Sequence, residues 1–119
     1  MSKSLKIAVC MELQWPYNRH FMPNAGITDY ANEHTNWQLE QCNYPEVFMS
    51  EGVHYDGSIG RISSACYEKG RELAVPMVNL WMNSPIKDSL PTVCVDKREA
   101  GRVATEHLIA RGFKRIVHI

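Results

Sequence analysis

Residues 5–11, LKIAVCM, form an unbroken apolar run of strand length near the start of the chain. A strand with one wet face alternates apolar and polar residues, whereas a run without alternation is buried on both faces, as strands inside a parallel sheet are. Parallel neighbours are joined only by crossovers, usually helices, so this one run predicts helices packed above and below it. The rest of the chain supplies the pieces. Strand-length segments recur as WQLEQC (37–42), the glycine-rich DGSIGRI (56–62), VPMVNLW (75–81) and TVCV (92–95). Helical patterns lie between them. Over residues 20–34, Phe21, Ile27, Tyr30 and Ala31 can share a face, with Pro23 tolerable in a first turn. Residues 44–55 read as a loop with a short helix, and 63–74 as a helix capped by Ser63 or Ser64. Strands alternating with helices give an α/β fold: an open parallel sheet of about five strands with helices on both faces.

The best-marked helix follows residue 95. Asp96 stands at its N-cap with Glu99 three residues on, an acidic variant of the capping box. Ala100, Val103, Ala104, His107, Leu108 and Arg111 make one stripe at helical spacing, expected to face the core. Gly112 supplies the left-handed position that ends it. KRIVHI (114–119) then opens a sixth strand. Left without a partner it would expose apolar side chains and an unpaired edge. It is therefore expected to pair with a strand of the same or a neighbouring molecule, or to be poorly ordered. Two glycines inside 56–62 predict close approach of a neighbouring backbone or a ligand.

Composition narrows the function classes. Apolar residues make up 45% and charged residues 22% of 119, as in a folded soluble domain. Thirteen basic residues balance thirteen acidic ones, so no global field favours nucleic acid or an anionic membrane. No run is long enough to span a bilayer, and residues 1–10 lack the features of a signal peptide. The four cysteines form no CxxC pair and the histidines no ligand spacing, so neither a metal nor another cofactor is expected. Widely separated thiols fit a cytoplasmic protein. There is no GxSxG, HExxH or GxxxxGK[ST], and DGSIG is not the GxGxxG turn of dinucleotide binders. Binding is favoured over catalysis, and the chain is not expected to be an enzyme.

In an open parallel sheet, ligands bind beyond the carboxyl ends of the strands where the strand order reverses. With 5–11 central, the loops at that reversal carry Glu12, Gln14, Trp15, Tyr17, Asn18 and Arg19 on one side and Arg61 with Ser63 and Ser64 on the other. The ends of the later strands add Asn79, Trp81 and Asp96. Flat aromatic faces beside hydrogen-bonding tips suit a sugar, whose C–H faces stack while its hydroxyls need paired donors and acceptors. Each residue also has a plainer use. The tryptophans can pack on their own sheet, Arg61 can be ion-paired or solvated, and capping alone accounts for Asp96.

YDGSIGRISS, then VPMVNL, then PTVCVDKREAGRVATEHLIARGFKRIVHI resemble the effector-binding domain of lactose-repressor-type regulators, most of all the xylose-operon regulator family. The resemblance rests on Asp96, Gly101, Arg102, Ala104, Glu106, His107, Leu108, Arg111, Gly112 and Phe113. It is specific over 55–119 and topological over 1–54. Lys97 departs from the asparagine usual after the aspartate. The resemblance implies a flavodoxin-like lobe of a periplasmic-binding-protein-like fold, with a small sugar such as xylose or a similar pentose held between two lobes. It further implies a bacterial transcription regulator, a homodimer, that reaches DNA only through a domain outside these residues. On this reading 1–113 form the N-terminal lobe and 114–119 the first strand of a second lobe. The alternative from another class is a self-contained flavodoxin-like enzyme or signalling domain; of the paired acids a receiver domain needs after its first strand, only Glu12 is present.

Overall fold

The computed structural model describes residues 4–11, 21–117 and 119. Four parallel strands form one sheet: β1 (Lys6–Cys10), β2 (Gln38–Gln41), β3 (Gly57–Gly60) and β4 (Met77–Asn79), in the order β2-β1-β3-β4. The helices between them are α1 (Phe21–His34), α2 (Pro45–Ser50) and α3 (Ser64–Glu72), and α4 (Lys97–Ala110) follows the last strand. This is the α/β parallel sheet that the unbroken apolar run predicts, with β1 inside it and buried from Ile7 to Cys10. Right-handed crossovers put α1, which leads outward from β1, on one face, and α2 and α3, which lead the other way, on the opposite face.

Side chains alternate along β1, so its two faces serve two layers. Ala8 and Cys10 join Cys42, Met49, Tyr55, Ile62, Cys66, Val75 and Met77 in the main core, beneath α2 and α3. Ile7 and Val9 point to the α1 side, where Ala31 is buried. Of the other α1 residues expected on that face, Ile27 is half-buried and the side chain of Phe21 lies outside the described residues. Tyr30 is exposed, its ring tilted against His34 at 4.7 Å between centroids. In the row Val9–Ile59–Val78 only Val9 is fully covered; Ile59 and Val78 are half-buried.

That open stretch goes with the largest departure from expectation. The stripe on α4 does not face the core: no residue of the helix is buried, and Val103 is 52% exposed. Both ends of the helix close as their sequence signals predict. Asp96 Oδ1 accepts a hydrogen bond from the Glu99 amide at 2.9 Å. At the other end Gly112 (φ +87°) and Phe113 donate their amides to the carbonyls of Ile109 and Leu108, a Schellman closure. Between the caps, Arg102 bridges Glu99 and Glu106 along one face and holds the Glu99 carboxyl below its usual range. Caps and side-chain bridges specify a helix, but none of them ties it to a sheet.

The cause lies just upstream. TVCV does not form the fifth strand; it contributes one parallel bridge, Thr92 to Asn79, and Val93, Cys94 and Val95 are exposed. The helix therefore follows a segment that adds no full strand to the sheet. α4 itself is 14 residues, about 21 Å, long. The described residues of KRIVHI form no strand either. Residues 114–117 and 119 are exposed and outside any ladder of this chain. Of the expected outcomes, pairing with another strand of the same molecule is not seen among the described residues.

Candidate functional site

The strand order reverses between β1 and β3, since the chain moves from β1 out to β2 and then returns across β1 to β3. At the carboxyl edge there, β1 and β3 come very close. Gly60 has φ +145°, and a Cβ at that position would sit 2.4 Å from the Cys10 carbonyl oxygen. Only glycine fits. The neighbour anticipated from the two strand glycines is thus the central strand itself. The close approach lets the Arg61 amide donate to the Cys10 carbonyl at 2.8 Å, which delivers the Arg61 side chain to the reversal point.

Trp81 is delivered by a different device. Asn79, at the end of β4, is 0% exposed, and a buried amide must find partners for its donor and acceptor atoms. Its Oδ1 accepts from the amides of Ile62 (3.3 Å) and Trp81 (3.0 Å), and its Nδ2 donates to the Trp81 carbonyl (2.8 Å) and Thr92 Oγ1 (3.3 Å). Ser84 adds a bond from Oγ to the Ile62 carbonyl at 2.8 Å. Asn79 therefore brackets the ends of β3 and β4 and the segment at Thr92. The bracket brings the Arg61 guanidinium to 4.1 Å from the centre of the Trp81 ring, a contact worth about 0.5–2 kcal/mol.

Arg61 and Trp81, both expected site residues, thus form one wall. It lines a cleft of about 290 Å³ together with Met11, Asn43, Tyr44, Glu46 and Ser63. Asp96, the third of them within the described residues, is not among the cleft's lining residues; it caps α4. Trp15, Tyr17, Asn18 and Arg19 lie outside the described residues. Asn43, Tyr44 and Glu46 were missed from sequence, although they follow the second strand directly and so had to fall at the carboxyl edge. Ser63 does double duty, since its Oγ accepts from the Cys66 amide at 3.2 Å and caps α3.

Cys10 and Cys66 also line this cleft. The Cys66 thiol beside it and then burial push the Cys10 thiol far above its ordinary range, while its contact with Ser58 Oγ at 3.0 Å pulls weakly the other way. It stays protonated, and a protonated thiol is a poor nucleophile. Burial likewise raises Cys42, despite its 3.3 Å contact with the Tyr55 hydroxyl. Among the described residues, no group of three or more His, Cys, Asp or Glu side chains is placed to hold a metal ion, and no helix is long and apolar enough to cross a membrane. Comparison of the chain with protein-family models, curated proteins and solved structures finds no match.

Proposed function

We propose that the chain is the sugar-sensing lobe of a bacterial transcription regulator, binding a pentose such as xylose against the wall formed by Arg61 and Trp81. The observation that carries this reading is the composition of the cleft at the strand reversal. An aromatic ring and an arginine stand beside a carboxylate (Glu46), a hydroxyl (Ser63) and an amide (Asn43). Those groups match a ligand with C–H faces and both donating and accepting hydroxyls. The likeness of residues 55–119 to xylose-operon regulators supports the same assignment. A protonated Cys10 favours binding over nucleophilic chemistry. Four free cysteines suit the reducing cytoplasm.

In this proposal residues 1–113 are one of two lobes. A pentose closes the cleft between them and shifts the arrangement of a homodimer whose DNA-binding domains lie elsewhere in the protein. Half a cleft supplies half the contacts and leaves them open to water. Calorimetry with D-xylose, L-arabinose and D-ribose tests the reading. The 119-residue chain should bind weakly, in the millimolar range, and a chain with both lobes about a thousandfold more tightly, about 4 kcal/mol. Micromolar binding by the single lobe would contradict the two-lobe arrangement, and no pentose binding by the two-lobe chain would remove the sugar assignment.

A further inference from the structure

The outer surface of the α2 and α3 layer carries a groove between the two helices. Glu46, Glu51, Glu68 and Glu72 line it together with Val47 and Ala65. Val47 is 50% exposed, so part of this lining is apolar and open to water. Lys69, the cation of the lining, stands 3.5 Å from Glu72. Among the described residues, no ion pair reaches Glu46, Glu51 or Glu68. The groove therefore sets an uncovered apolar strip beside carboxylates that have no cationic partner there.

The opposite pattern stands on α4. Its stripe of Ala100, Val103, Ala104 and Leu108 has no residue buried, and helical spacing places Lys97 and Arg111 at the two ends of that same stripe. Lys114 and Arg115 follow just beyond it, both exposed. Among the described residues, none of these four cations is ion-paired, whereas the helix acids Glu99 and Glu106 are both held by Arg102. We infer that α4 docks in the α2–α3 groove of a second copy of this chain. Its apolar stripe covers Val47 and Ala65, and its C-terminal cations meet Glu51 and Glu68. Each copy offers one helix and accepts another, so the exchange closes as a two-fold dimer. A second α4 is the poorer partner, because antiparallel packing sets Lys97 against Arg111. An uncharged apolar surface would draw nothing from either set of charges. The inference does not depend on the pentose assignment.

Sedimentation velocity of the 119-residue chain across a concentration series tests this. One helix in one shallow groove, made twice, is a small interface, so a dimer with a Kd of about 100 μM is expected. Raising the salt from about 0.05 M to about 0.5 M should weaken it about tenfold. Glu51→Lys/Glu68→Lys reverses the groove, and Arg111→Glu/Lys114→Glu reverses the end of the helix. Each double variant alone sets like charges together and should associate at least about tenfold more weakly than the parent chain. Mixed one to one, the two should associate within about threefold of the parent, because every helix then finds a groove of opposite sign. Unchanged far-UV circular dichroism would show that both fold. A parent chain that stays monomeric at about 1 mM, as it would if α4 folded back on its own sheet, would overturn the inference. So would a dimer indifferent to either reversal, or a mixture that stays monomeric.

Discussion

Replacing Asn79 with alanine removes the bracket that sets Arg61 against Trp81, and the cost can be built from its four hydrogen bonds. Ile62 is 0% exposed, so its amide, deprived of Oδ1, has no route to water; an orphaned buried donor costs about 1–3 kcal/mol. Trp81 is half-buried, so its amide and carbonyl can rehydrate, and each bond there is worth nearer 1 kcal/mol. The Thr92 bond is long at 3.3 Å and adds little. The sum is about 3–5 kcal/mol, a large share of the 5–15 kcal/mol that holds a domain of this size. Urea unfolding followed by far-UV circular dichroism measures it, with midpoints compared at a common slope. Asn79→Asp is the informative control. It keeps an acceptor for both amides but turns a carboxylate oxygen towards the Trp81 carbonyl in a buried place, so it should be at least as damaging as alanine. A loss below about 0.5 kcal/mol for Asn79→Ala, the ordinary range of surface substitutions, would refute the bracket. So would an Asn79→Asp variant milder than alanine.

Gly60→Ala places a methyl group 2.4 Å from the Cys10 carbonyl oxygen at φ +145°; thermal melting should show a loss of about 3 kcal/mol or more, because the opposing atom is backbone and cannot turn away. Ala74 closes α3 at φ +56°, a conformation costing a non-glycine residue about 1–2 kcal/mol. Ala74→Gly should therefore raise stability by about 0.5–1 kcal/mol once glycine's greater unfolded freedom is subtracted; an unchanged or lower urea midpoint would count against strain there. Burial raises both Cys42 and Tyr55 above their ordinary values. Groups raised on folding contribute stability that is full below their unfolded pKa and declines above it, so the urea midpoint should fall as pH rises past about 8.5. The fall should be shallower in a Cys42→Ala/Tyr55→Phe double variant; equal slopes would contradict the burial argument.

Much of the fold is legible in the sequence because its signals are local. The apolar run at β1, the serine before α3 and the Asp96 and Gly112 ends of α4 each act within one turn or one strand. Their structural counterparts are the buried strand, the Ser63 cap and the two closures of α4. What failed depends on placement between elements. TVCV has strand composition, but becoming a strand requires a ladder beyond β4, and only Thr92 makes a bridge. The α4 stripe has the right period, yet periodicity says which residues share a face and not what covers that face. At the carboxyl edge, the positions of Arg61 and Trp81 just after their strands are enough to predict that they meet near the reversal, and close approach explains the strand glycine at Gly60. The role of Asn79 was available in principle, since a lone amide inside a buried strand must find partners. The partners themselves come from the ends of other segments, which no single-sequence pattern specifies.

The most direct test of the pentose assignment is an amide shift map of the ¹⁵N-labelled 119-residue chain titrated with D-xylose in the millimolar range. If the cleft at the β1–β3 reversal holds the sugar, the shifts should centre on Asn43, Glu46, Arg61, Ser63 and Trp81, the residues that line it, and Trp81→Ala should abolish them. Saturable shifts centred on α4 or on the far, amino-terminal edge of the sheet, or a Trp81→Ala variant that responds like the parent chain, would contradict it.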